Sequence, residues 1–277
     1  MYLGCIPGQG LRDRPFAEQL EAVASVGLRH VHTAARNLTS LTPEEIRAAM
    51  RRTGVQIDNF FGTGLSPAQM GDPAKVEAGK AALEANLKLA QAIGCPVICG
   101  SAGHGGYTMR LDSRRPELMD EIVACWKLAA PLLEKYRIYL GFESGIHTTL
   151  WKPDQFKELF DRVGSEWLTT TMDVTNMLSA EDYYDQHPKI DALFDRCRGR
   201  VHSAHLKDIM HEEKLHTHLN EAVPGEGNLD WEYVLVQLDR ALPSWGAGYI
   251  EATPWEKMPA AIDFVRTKAK AVGMSIE

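Results

Sequence analysis

The chain has 277 residues, 44% of them hydrophobic and 24% charged, with a formal net charge of -7. That length suits two small domains or one large one, and the apolar fraction is enough for a sizeable core. The acidic balance argues against a nucleic-acid partner, which would demand a basic face, and no apolar run approaches the roughly 20 residues that span a bilayer.

The N-terminal MYLGCIPGQG has neither a basic stretch nor a long apolar one, so no secretory signal is expected. Short β-rich runs then alternate with helical patterns. The first run is Tyr2 to Ile6, followed by a helix from about Arg14 to Val26 that ends at Gly27. HVHTA (30–34) precedes a helix opened by Thr42-Pro43-Glu44-Glu45, a capping residue followed by proline and acids, and closed by Gly54. VQIDNFFG (55–62) leads into an Ala-rich helix from Pro73 to Ile93, stopped by Gly94. PVICGS (96–101) is a buried strand before a helix from about Arg115 to Tyr136. The five cysteines lack zinc-ligand spacing, and Cys95 and Cys99 at this apolar run read as buried, reduced thiols, so the expected compartment is cytoplasmic.

The second half repeats the scheme. IYLGFES (138–144) precedes a helix from Pro153; LTTTMDVTN (168–176) precedes one from Pro188 to Cys197. VHSAHLKD (201–208) comes seventh, its helix beginning near Asp230, and GYIEAT (248–253) is last, before a helix from Met258 to Val272. Eight strand–helix pairs without a composition break predict one (β/α)₈ barrel spanning residues 1–277. The stretch between Ile209 and Leu229 has weak periodicity and reads as a long loop on the face where barrels build their sites.

The C-terminal ends of parallel barrel strands meet around one mouth. Glu143, Asp173, His205 and Glu251 fall at or near the ends of the fifth to eighth runs, about one βα repeat apart. Adjacent strands are about 4.8 Å apart, so the four side chains are expected to share one divalent ion. Singly, each carboxylate reads equally well as a helix cap or a lysine partner, with Lys207 and Asp208 at hand; packed together, they would repel without a cation. The donor set suits Mn²⁺ best, then Mg²⁺ or Co²⁺, with Zn²⁺ less suited.

GFES, TMDVTN, AHLKD, PGEGNLDW and YIEA together resemble the xylose-isomerase-like superfamily of sugar isomerases and epimerases, which includes ketose 3-epimerases and inosose dehydratases. The resemblance covers essentially the whole chain and is sharpest from Glu143 to Glu251. It implies that these four residues are metal ligands, and that Glu143 and Glu251 are also the acid/base pair. The activity implied is isomerisation or epimerisation of a sugar or keto-sugar by proton abstraction α to a carbonyl, through an enediolate. The alternative is a lyase that eliminates from a 3-keto glycoside, an inosose or a dehydroshikimate-like acid. A dimer or tetramer is implied by the same resemblance.

Two positions depart from the pattern. Asn176 stands where many members carry a histidine, and Glu143 is followed by Ser144-Gly145-Ile146-His147 where many carry Asn-His, so His147 is expected to take that second histidine's place from a shifted position. Metal-dependent abasic-site endonucleases share the barrel but need further histidines and aspartates, and the acidic balance disfavours DNA.

For the carbohydrate or cyclitol substrate, His104 in the glycine-rich GSAGHGGY loop, Asn176, His147, Trp255 and His218 are the candidate contacts. Phe60, Phe61 and Trp151 also flank strand ends, where an aromatic face suits a sugar. His216, His218 and Glu221 would fold the long loop over the site, with Glu226 a turn residue. His32 ends the second run without an assigned role. His202, earlier on the strand of His205 and expected on the same face, is the next ligand candidate. The glycine pairs at 8–10 and 225–227 read as turns, and ATPWEK lacks a phosphate cradle, so an unphosphorylated substrate is expected.

Overall fold

The β-rich runs become strands and the Ala- and Leu-rich stretches become helices along the whole chain. A computed structural model describes residues 1–101, 103 and 110–277. Its order is β1 (Tyr2–Cys5), α1 (Phe16–Ser25), β2 (His30–Ala34), α2 (Pro43–Thr53), β3 (Gln56–Phe61), α3 (Pro73–Ile93), β4 (Val97–Ser101) and α4 (Glu117–Tyr136). There follow β5 (Tyr139–Glu143), α5 (Pro153–Val163), β6 (Leu168–Met172), α6 (Val174–Met177), α7 (His187–Arg196) and β7 (Val201–Leu206). The chain ends with β8 (Asp208–Glu212), β9 (His218–Ala222), α8 (Trp231–Ala241), β10 (Ala247–Ile250) and α9 (Met258–Ala271).

Eight parallel strands close in the order β1-β10-β7-β6-β5-β4-β3-β2, which is the predicted (β/α)₈ barrel. Local chemistry sets the helix ends. Thr42 and Glu45 form a reciprocal capping box at α2, and Gly54 ends that helix at φ 70°, a left-handed conformation that costs glycine little. Asp72 caps α3 by accepting from the N–H groups of Ala74 and Lys75. Among the described residues no helix is long and apolar enough to cross a membrane, and the five cysteines are free and buried.

Three expectations are corrected. The sixth strand stops at Met172, because Asp173 caps the short α6 by accepting from the Asn176 N–H; the β-branched Val174 and Thr175 had suggested that the strand continues. The stretch after the seventh strand is not an irregular loop but an antiparallel hairpin, in which Asp208 pairs with Ala222 and Glu212 with His218. His202 lies where the register of β7 against β6 shifts, and its ring packs edge-on against Tyr139, 4.3 Å between centroids, and beside Trp245, at the start of β5 and away from the end that carries Glu143.

Candidate metal centre

The four candidate ligands come from four consecutive strands of the closed sheet, in the order β10, β7, β6, β5. Glu143 ends β5, Asp173 directly follows β6, His205 lies within β7, and Glu251 directly follows β10. One donor atom from each lies within 4.8 Å of the others. That spread matches donors around one ion, whose opposite ligands stand about two bond lengths of 2.0–2.5 Å apart. Glu143 and Glu251 occupy the outer strands, and Asp173 and His205 the two between.

Burial grades across the set. The side chains of Asp173 and His205 are fully enclosed, while those of Glu143 and Glu251 keep 11% and 19% exposure towards the mouth. His205 Nδ1 faces Glu143 Oε1 and Glu251 Oε2 at 3.5 Å each and Asp173 Oδ2 at 3.8 Å. Neither Asp173 Oδ2 nor His205 Nδ1 has a hydrogen-bond partner among the described residues, although both are buried. Orphaned buried polar atoms demand an explanation. Two such atoms converging among carboxylates fit a divalent cation.

The backbone around Glu251 is unusual. Its N–H donates to Leu206 O at 3.1 Å, and Ala252 follows in the left-handed region at φ 52°. A non-glycine residue there is strained by about 1–2 kcal/mol. The turn takes the chain off the barrel end immediately after the carboxylate.

Electrostatics sharpen the picture. Burial opposes protonation of His205, but Glu251, Glu143 and Asp173 outweigh it and push its pKa up to about 9. Burial pushes the Asp173 carboxyl up, against the pull of Lys207. Lys207, 4% exposed, places Nζ 3.0 Å from Glu251 Oε2, 3.1 Å from Asp173 Oδ2 and 3.2 Å from Glu221 Oε2. The contact to Asp173 is an ion pair without hydrogen-bond alignment, which is how that oxygen is both near a cation and unbonded. Burial disfavours the Lys207 ammonium, yet the surrounding carboxylates raise its pKa.

Of the candidate substrate contacts, the structure brings Asn176 and His147 to Glu143. Asn176 Nδ2 donates to Glu143 Oε1 at 2.7 Å. His147 is half-buried, and burial lowers its pKa. Its ring approaches Gly145 so closely that a side chain there would meet Cε1 at 2.7 Å. These residues and Phe61, Ser101 and Thr148 line a cavity of about 100 Å³. Phe60 is fully buried instead.

Trp255 and His218 are not brought to that wall. The Trp255 N–H donates to Gln9 O at 3.0 Å, tying its turn to the first loop, and the ring packs on the core. His218 is exposed on the hairpin. Trp151 lies under the Arg114 guanidinium, 3.9 Å from ring to charge. His216 is exposed between the hairpin strands, and His104 lies outside the described residues.

Sequence reading missed the role of Asp208. Its carboxylate accepts from the N–H groups of Ile209, Gly225 and Leu229 and from Trp231 Nε1, at 2.8–3.0 Å, so it holds both ends of the hairpin segment. A side chain at Gly227 would strike it at 2.4 Å. The PGEGNLDW string carried this signal, because its glycines leave backbone amides open to a carboxylate. Glu226 bonds Lys257 across to the last loop at 2.7 and 2.8 Å.

A sequence model of the xylose isomerase-like TIM barrel family matches residues 20–268. No curated protein matches the sequence significantly. Among solved structures, a D-psicose 3-epimerase crystallised in the presence of D-fructose superposes with a TM-score of 0.74 at 17% identity, covering 99% of this chain and 100% of its own. A 3-keto-D-glucoside 4-epimerase from E. coli gives 0.74 and 17%, covering 96% and 99%. A xylose isomerase-like TIM barrel protein from Mycobacterium smegmatis in complex with magnesium gives 0.71 and 13%, covering 98% of each chain. At these identities the likeness is one of fold.

Proposed function

Because the chain belongs to the xylose isomerase-like TIM barrel family, we propose that it is a divalent-metal-dependent isomerase or epimerase of a small, unphosphorylated sugar or keto-sugar. The observation that carries this reading is the convergence of Glu143, Asp173, His205 and Glu251, with the unbonded Asp173 Oδ2 and His205 Nδ1 among them. Psicose and 3-keto-glucoside epimerases among the structural neighbours support the substrate class.

Asp173, His205 and the two glutamates would hold the ion, with Mn²⁺ the best suited to three carboxylates and an imidazole and Mg²⁺ or Co²⁺ next. A bound divalent cation supplies Lewis-acid polarisation of a substrate carbonyl. The chain's own residues do the rest. Glu143, which lines the cavity, and Glu251, on the other outer strand of the set, both keep some exposure and would work on opposite sides of a substrate carbon. One carboxylate takes the proton α to the carbonyl, and the other returns it. Asn176, donating to Glu143 Oε1, fixes which glutamate oxygen stays free. His147 and Phe61 would bind the sugar's hydroxyl groups and apolar face.

The test is turnover in D₂O of a panel of keto-sugars, glycosides and cyclitols with Mn²⁺ added. An isomerised or epimerised sugar carrying deuterium at the exchanged carbon supports the reading. Release of water or an aglycone instead would make the protein a lyase of the same first step. Retention of full turnover in Glu251→Gln would remove the two-base picture.

A further inference from the structure

Beneath the four candidate ligands lies a histidine that the chemistry above does not use. His32 is fully buried, and its Nδ1 stands 3.1 Å from His205 Nε2. The register of β2 against β3 shifts between Val31 and His32. Such irregularities re-aim a side chain. The ring also stacks on Phe61, 4.1 Å between centroids and 29° between planes, and Phe61 lines the cavity beside Glu143.

We propose that His32 is a positioning residue, fixing the tautomer and ring angle of His205 from below while backing the aromatic wall of the substrate cavity. His205 turns Nδ1 towards Glu143, Asp173 and Glu251, and a ring nitrogen facing a cation presents its lone pair. The single ring proton of neutral His205 then sits on Nε2, and the acceptor it meets is His32 Nδ1. His32 therefore carries its own proton on Nε2, an atom without a partner among the described residues. An apolar ring would pack as well but would strand the buried His205 Nε2–H, so the imidazole is there for its acceptor. Partners that orient a ligating histidine in this way commonly set metal affinity.

This inference rests on the metal reading of the four-residue set. Its test is Mn²⁺ binding by calorimetry to three forms of the full chain: wild type, His32→Phe, which keeps a stacking ring without an acceptor, and His32→Asn, whose Oδ1 restores an acceptor near the Nδ1 position. The expected result is a loss of about 10–100-fold in Mn²⁺ affinity for His32→Phe, with His32→Asn recovering most of it. Wild-type affinity in a folded His32→Phe would overturn the inference and leave the metal site standing. Failure of wild type to bind Mn²⁺ would remove both. Should His32→Phe not fold, long-range ¹⁵N–¹H correlation spectra of wild type loaded with Mg²⁺ decide the matter. Nε2–H tautomers for both His205 and His32 are expected; an Nδ1–H tautomer at either ring would overturn it.

Discussion

Asn176 bonds Glu143 through its side chain, Nδ2 to Oε1 at 2.7 Å, while its backbone N–H donates to Asp173 Oδ1 at 2.9 Å. One residue thus orients two of the four candidate ligands, and only the bond to Glu143 needs its side chain. Asn176→Ala should fold normally and lower kcat. A hydrogen bond to a charged group contributes about 1.5–3 kcal/mol, so the expected loss is about 10–150-fold. Steady-state kinetics on the substrate found in the D₂O screen would check this, and unchanged kcat would show that Glu143 needs no such partner.

Lys207 is the chain's own cation at the site, in contact with Asp173, Glu251 and Glu221. Breaking a buried ion pair from one side costs about 3–5 kcal/mol. At about 2–4 °C per kcal/mol for a chain of this order, chelated Lys207→Met should melt roughly 6–20 °C below chelated wild type. Added Mn²⁺ should close much of that gap by neutralising the same carboxylates. Thermal melts with and without chelator test this; a gap unaffected by metal would separate Lys207 from the site.

The charge on His205 sets a pH dependence for the metal-free protein. Its pKa is raised from the ordinary 6.5 to about 9. A raised folded-state value means stability that is fully present below about 6.5 and lost as pH rises through about 9. The melting temperature of the chelated protein should therefore fall across that window. His205→Gln should lack that part of the slope; an identical slope in the variant would assign it to other groups.

Asp208 organises the hairpin segment through four accepted hydrogen bonds. Asp208→Ala would strand buried donors, each at a cost of about 1–3 kcal/mol. Hydrogen exchange should accelerate from 209 to 229 more than in the barrel strands. Uniform acceleration throughout would mean that Asp208 supports the whole fold instead of this segment.

The barrel was legible because apolar β-rich runs and helix-ending glycines such as Gly54 and Gly94 are local signals. The candidate ligands were legible because each lies within such a run or directly after it. The hairpin was not: its strands DIMHE and HLNEA bury only Asp208, Ile209 and Ala222, where they join the barrel, and the remainder is mostly polar and exposed, so the alternation that announces a strand is missing. Lys207 was visible only as a carboxylate partner, a reading that the structure joins to the convergence of ligands instead of opposing to it. The bond between His32 and His205 joins residues 173 positions apart and leaves no trace in local pattern.

The most direct measurement is metal analysis of protein purified without chelator and dialysed against Mn²⁺, alongside Asp173→Asn. Asp173 makes the cleanest variant because its Oδ1 already serves Asn176, leaving Oδ2 as the oxygen free for an ion. About one divalent ion per chain is expected in wild type and little in the variant. Metal-free wild type, or a variant as fully loaded as wild type, would contradict the metal reading.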